Sequence, residues 1–115
     1  MLTPADLAHF RRRLEAQRAA LQERVASLER AVAEPDQDDA TAQDRGDDAT
    51  LLEAQDEALD RLAFARAELA QAEKALARIA AGTYGTSEVS GKPIPRARLD
   101  ALPAATTLVD ETPPQ

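Results

Sequence analysis

The sequence predicts a mainly α-helical fold, in which a long antiparallel coiled-coil helical hairpin is followed by a small C-terminal knob with a short β-hairpin and a short helix. Three observations predict it. Apolar residues recur at three- and four-residue steps in two long segments, the stretch between them is polar, and glycines and prolines gather after the second. Aromatic residues make up only 3% of the chain, which favours helix seams over a broad globular core.

The first helix is predicted to begin at a capping motif. Thr3 is a preferred N-cap residue, Pro4 suits the first helical position, and Asp6 is placed to return the capping hydrogen bond. Pro35 ends the periodic pattern. The stripe expected to face the second helix consists of Leu7, Phe10, Leu14, Leu21, Val25, Leu28 and Val32.

The second helix is predicted to run from near Ala49 to Gly82. Its apolar residues form a heptad seam in which small and large side chains alternate, so that two helix backbones can approach closely. We interpret this seam as the core of the hairpin and not as a cofactor site. The seam residues are Ala58, Leu62, Ala65, Leu69, Ala72, Leu76 and Ile79.

The C-terminal segment carries turn and helix-end signals. Gly82 suits a left-handed helix cap, Gly91 a tight turn, and Pro95 and Pro103 can open and close a short helix. We therefore divide the chain into a hairpin at 1–81, with an acidic tip at 34–48, and a knob at 82–115 whose last residues we expect to be frayed.

The composition argues against several classes of function. The chain has no cysteine, which excludes disulfides, thiolate metal sites and a cysteine nucleophile. A net charge of −7 argues against direct specific DNA binding, because phosphate recognition needs clustered Lys and Arg. No apolar run is long enough to span a bilayer and the first residues lack the form of a secretion signal, so we expect a cytoplasmic protein without a membrane partner.

The segment 34–48 holds seven acidic residues and one arginine. A solvated connector is the simplest interpretation. A calcium loop fits poorly, because Ala40 and Thr41 stand where an EF-hand needs an acid and a glycine, and an exposed tip offers no pocket for a catalytic carboxylate pair. A third interpretation is that the hairpin delivers a few carboxylates into a cavity of a larger partner. The candidates for that contact form the motif D-x-x-D-x-A: Asp44, Asp47 and Ala49.

The C-terminal residues, together with this tip motif, resemble the DksA/TraR family. The resemblance is carried by RIAAGTYG at 78–85, Gly91, Ile94 and RLDALPAA at 98–105. It implies a transcription regulator, not an enzyme, that binds bacterial RNA polymerase through the secondary channel and modulates the stability of the promoter complex. Asp44, Asp47 and Ala49 would then act near the polymerase active centre.

The sequence departs from the family at its four-cysteine zinc finger. Ser87, Ser90, Leu108 and Glu111 stand where the zinc ligands are expected, and serine and leucine are poor or impossible ligands. We therefore expect a degenerate zinc-finger-like segment with no zinc and no other cofactor. An apolar cluster is predicted in place of the metal: Tyr84, Val89, Ile94, Leu99 and Leu108.

A second departure concerns the alarmone ppGpp, which some family members bind together with polymerase through basic residues on the second helix. The corresponding residues are Phe64, Glu68 and Gln71, none of them basic, so the resemblance implies little ppGpp dependence. We expect a monomer. Two alternatives remain open: a homo-oligomeric or adaptor coiled-coil protein without polymerase binding, and a Gre-like transcript-cleavage factor.

Overall fold

The computed structural model describes the backbone of residues 2–33 and 48–112, and the side chains of the same residues except 48–51. Three helices occur in these ranges: α1 (Pro4–Ala33), α2 (Asp48–Ala81) and α3 (Arg96–Ala101). The described residues contain no strand, and a single antiparallel bridge between Thr86 and Pro93 stands where a β-hairpin was predicted. The mainly α fold with an antiparallel helical hairpin is confirmed.

Helix α1 begins at the predicted capping motif. The Thr3 hydroxyl accepts a hydrogen bond of 3.0 Å from the Asp6 N–H, and the Asp6 carboxylate accepts one of 2.9 Å from the Thr3 N–H. These reciprocal bonds satisfy donors that the first helical turn would otherwise leave without partners. The hydrogen bond from the Thr3 N–H also lowers the pKa of Asp6, and a second bond from the Arg96 side chain lowers it further.

Helix α2 ends where the sequence predicts. Gly82 has a φ of 80°, a left-handed conformation that glycine adopts without steric cost, and its N–H bonds to the Ile79 carbonyl. The N–H groups of Thr83 and Tyr84 both bond to the Arg78 carbonyl. The chain is therefore turned away from the helix axis immediately after Ala81.

The described chain divides into two compact units. The first unit contains Met1–Ala19 and Leu69–Gln115, and the second contains Ala20–Glu68. Each unit holds one part of α1 and one part of α2, and in each the predicted seam residues are buried or half-buried. The seam predictions on both helices are thus confirmed.

The second unit shows the antiparallel packing directly. The Arg66 guanidinium lies 2.7 Å from the Glu29 carboxylate, and the Gln55 amide lies 3.5 Å from the Val32 carbonyl. The later residue of α1, Val32, contacts the earlier residue of α2, Gln55, so the two segments run in opposite directions. The apolar contacts are made by Leu21, Val25, Leu62 and Ala65, all nine-tenths or more buried.

The first unit contains the larger core, which joins the helices to the C-terminal segment. Phe10 and Leu14 of α1, Ala75 of α2 and Leu99 of α3 are fully buried. Each large apolar side chain buried in this way stabilises the fold by about 1.5–3 kcal/mol. Ala75 was not among the predicted seam residues, and it belongs to a core cluster that contains residues of both α1 and the C-terminal segment. No helix in the described ranges combines the length and apolar character required to cross a membrane.

Candidate functional site

The predicted polymerase-contacting tip lies mostly outside the described residues. Asp44 and Asp47 fall in the segment that the structure does not describe. Ala49 lies in the first turn of α2, which begins at Asp48, and only its backbone is described. The assignment of these three residues to partner contact therefore stays a prediction.

The positions at which zinc ligands were expected are close together in the first unit. The Ser87 hydroxyl donates to the Glu111 carboxylate, and the Leu108 N–H donates to the same carboxylate oxygen at 2.8 Å. The Ser87 hydroxyl oxygen also accepts the Ser90 N–H at 3.1 Å. These four residues thus form one hydrogen-bonded group, which we call the Glu111 cluster.

The charge state of the Glu111 cluster follows from these bonds. Hydrogen bonds from the Ser87 hydroxyl, the Ser90 hydroxyl and the Leu108 N–H hold the pKa of Glu111 below its usual range. The carboxylate is therefore ionised at neutral pH, and the nearby Lys92 charge favours the same state.

The residues of the Glu111 cluster do not fit a zinc ion. The Leu108 side chain has no atom that can coordinate a metal. The Ser87 hydroxyl donates its proton to Glu111, and serine hydroxyls are in any case poor zinc ligands at neutral pH. Within residues 2–33 and 48–112 no group of three or more His, Cys, Asp or Glu side chains is arranged to hold a metal. The cluster can bind protons and hydrogen-bond donors, but it lacks the ligands of a zinc finger.

The apolar cluster predicted for this region is correct in part. Tyr84, Ile94 and Leu99 are buried in the core of the first unit, and Leu108 packs against it. Val89 is 51% exposed, so its inclusion was wrong. The prediction assumed that apolar side chains would replace the metal, whereas a hydrogen bond from Ser87 to Glu111 lies at the ligand positions. Leu108 is the one apolar side chain at these four positions, and it packs against the core formed by Tyr84, Ile94 and Leu99.

A polar face of α2 holds the C-terminal segment, and sequence reasoning missed it. The Gln71 amide donates to the Ala104 carbonyl at 3.0 Å and to the Thr106 hydroxyl at 3.2 Å. The Lys74 ammonium lies 2.5 Å from the Glu88 carboxylate, to which Thr106 also donates. The spacing of Gln71 and Lys74 places both side chains on one face of α2, and this was the only sequence pattern that could have indicated the polar face. The sequence does not indicate which loop residues these side chains contact.

Arg78 extends this polar face by one further turn of α2. Its guanidinium donates to the Thr83 carbonyl at 2.8 Å and to the Thr86 carbonyl at 2.6 Å. We call Gln71, Lys74 and Arg78 the docking triad, because all three bind the residues that follow α2. The two basic side chains Lys74 and Arg78 are thus both bound to residues of the C-terminal segment.

The residues at which ppGpp dependence was assessed differ in their surroundings. Phe64, in the second unit, is 65% exposed, and Glu68 is half-buried. Gln71, in the first unit, is a member of the docking triad. The basic residue that follows it on this helix, Lys74, is paired with Glu88.

Comparison with known proteins identifies two similar proteins, which match different shares of the chain. No protein-family model matches the chain. The uncharacterised protein YteA of Bacillus subtilis is 46% identical over 65 residues, which are 56% of this chain and 27% of that protein, so the chain spans about a quarter of the length of this relative. The structure of transcription factor DksA2 from Pseudomonas aeruginosa matches with a TM-score of 0.76 and 30% identity, over 93% of this chain and 80% of that one.

Proposed function

Because the chain belongs to the DksA/TraR family, as a member without the zinc-finger cysteines, we propose that it is a non-enzymatic transcription regulator that binds bacterial RNA polymerase through its secondary channel. The observation that carries the proposal is the match to a transcription factor over 93% of the chain. Helices of 30 and 34 residues, each about 45–50 Å long at 1.5 Å per residue, are long enough to enter a deep channel.

The proposed point of action is the acidic segment before α2. Asp44 and Asp47 would act near the polymerase active centre, and Ala49, in the first turn of α2, would allow close packing there. Such a factor changes the lifetime of a promoter complex only by binding one of its states better than another. The remaining acids of the segment would steer the protein towards a basic channel.

The proposed regulator acts with little dependence on ppGpp. An anionic alarmone needs cations that are free to bind it. In this part of α2, Gln71 is neutral and bonded within the chain, while Lys74 is paired with Glu88. We further propose a monomeric, cytoplasmic protein whose effect on transcription involves no direct specific DNA binding.

Transcription assays with a tip variant test this proposal. Asp44→Ala/Asp47→Ala is expected to abolish most of the change in promoter-complex lifetime caused by the wild-type protein. The matched control, Asp36→Ala/Asp38→Ala, removes the same charge from the same segment outside the motif and is expected to keep the effect. Addition of ppGpp should change the wild-type effect less than twofold, an energy of about 0.4 kcal/mol or less by the relation between free energy and equilibrium constants.

The same reactions distinguish the alternatives. A Gre-like factor would stimulate cleavage of the nascent transcript in stalled complexes, and this activity would disappear in the tip variant. An adaptor coiled coil would leave promoter-complex lifetime unchanged whether or not the tip is intact. Equal loss of effect in the tip variant and in the matched control would assign the result to bulk charge and contradict the proposed role of the motif.

A further inference from the structure

The Glu111 cluster joins two turns that are distant in sequence. One turn contains Ser87 and Ser90 and follows the bridge at Thr86, and the other begins at Leu108. A metal in such a place joins two turns by binding ligands from both. Here the Glu111 carboxylate accepts hydrogen bonds from both turns, and the charged acceptor makes these bonds stronger than bonds between neutral groups.

The Ser87 hydroxyl uses all of its hydrogen-bonding positions within this cluster. Its side chain is almost fully buried, with a residue exposure of 3%. The hydroxyl oxygen accepts the Val89 N–H at 3.0 Å and the Ser90 N–H at 3.1 Å, while its proton goes to Glu111. One donor and two acceptor sites are all that a hydroxyl offers. A buried serine satisfied in this way orients its proton towards the carboxylate.

From this geometry we propose that Glu111 takes over the task of a structural metal, because its carboxylate fastens the 108–111 turn to the 87–90 turn through the Ser87 hydroxyl and closes its own turn through the Leu108 N–H. The C-terminal segment consequently folds without any metal. This inference uses the family only for the expected positions of the zinc ligands, and it does not depend on polymerase binding.

A separate set of contacts makes the effect of Glu111 local. Glu88 N–H bonds to the Thr106 carbonyl at 2.8 Å, the Thr106 hydroxyl donates to the Glu88 carboxylate, and Lys74 pairs with the same carboxylate. These bonds hold the residues before the 108–111 turn to α2 without using Glu111. Loss of the Glu111 carboxylate should therefore release the turn and leave the rest of the first unit in place.

Amide hydrogen exchange of the Glu111→Ala variant tests the proposal. Exchange of the Leu108 N–H should become roughly tenfold faster, as expected for loss of one hydrogen bond to a charged group. The Glu88 N–H should keep its protection. Asp110→Ala is the matched control, because Asp110 is exposed in the same turn and carries the same charge. It should leave both amides unchanged.

Two further measurements distinguish loss of the Glu111 hydrogen bonds from a general loss of structure. In Ser87→Ala the pKa of Glu111, followed by NMR, should rise towards its usual range, since its main hydrogen-bond donor is gone. The unfolding temperature of the wild-type protein should be the same with a chelator and with added zinc. Unchanged Leu108 exchange in Glu111→Ala, an unchanged Glu111 pKa in Ser87→Ala, or a chelator-sensitive unfolding temperature would each overturn the inference.

Discussion

Tyr84 connects the apolar core of the first unit to the C-terminal segment. Its ring centroid lies 5.8 Å from that of Phe10, and its hydroxyl donates to the Pro103 carbonyl at 2.7 Å. The residue is 8% exposed, and this burial raises the pKa of Tyr84 to about 12, because the phenolate would lose its hydration in the core. The aromatic ring supplies apolar contact and the hydroxyl fixes the turn that follows α3.

The raised pKa of Tyr84 predicts a loss of stability at alkaline pH. The folded state holds its phenolic proton up to a higher pH than the unfolded state, whose pKa is near 10.0. The contribution is therefore complete below pH 10 and is lost as the pH rises towards about 12. Tyr84 is the only tyrosine, so tyrosinate absorbance reports on this residue alone. Urea unfolding at several alkaline pH values measures the corresponding stability.

Tyr84→Phe is the matched control for this prediction. It keeps the ring and removes the hydroxyl, so the alkaline dependence due to this group should vanish. At neutral pH the variant should lose about 1 kcal/mol, since the Pro103 carbonyl is left without its partner. A titration near pH 10 in the folded wild-type protein would show that the hydroxyl is solvated and contradict the prediction.

At the scale of elements, α2 carries two faces with different tasks. One face forms the seam with α1, and the other presents the docking triad to the C-terminal segment. Lys74 belongs to the second face, and its partner Glu88 has a side chain only 11% exposed. Burial opposes ionisation of Glu88, but hydrogen bonds from Lys74 and Thr106 prevail and lower the pKa of this carboxyl. The carboxylate is stabilised mainly by its partners on α2 and in the loop.

A double-mutant cycle measures the link between α2 and the loop. Lys74→Met and Glu88→Gln should each destabilise the fold, and the double variant should lose less than the sum. The coupling energy should be about 1 kcal/mol, because Lys74 is 43% exposed and solvent screens part of the attraction. The exposed pair Glu57 and Arg61 is the matched control and should show weaker coupling. Equal coupling in the two pairs would contradict a special role for the docking triad.

The sequence predicts a feature well when the residues that form it are close together along the chain, and poorly when they are far apart. The capping motif at Thr3, the seam through Leu62 and the helix end at Gly82 are local patterns, and all three were predicted correctly. The Lys74–Glu88 pair and the Ser87–Glu111 bond join residues that are 14 and 24 positions apart in the sequence. No periodicity encodes such contacts, so the sequence predicted much of the apolar cluster of the knob but not the polar contacts that join its turns to each other and to α2.

For the molecule as a whole, the fold and the family are established more directly than the point of action. The resemblance at 78–105 predicted the family, and the match to a transcription factor structure supports it over nearly the full chain. The tip motif could be predicted only from the sequence, since Asp44 and Asp47 lie outside the described residues. The sequence of this segment has no apolar periodicity from which a conformation could be predicted.

Competition binding to RNA polymerase tests the central claim most directly. Labelled protein would be titrated with purified polymerase from the same host, with and without a Gre-type factor that occupies the secondary channel. We expect saturable binding that the Gre-type factor displaces and that Asp44→Ala/Asp47→Ala largely retains, since the tip is proposed to act after entry. Absence of binding at micromolar concentration, or binding that the competitor leaves unchanged, would contradict secondary-channel regulation.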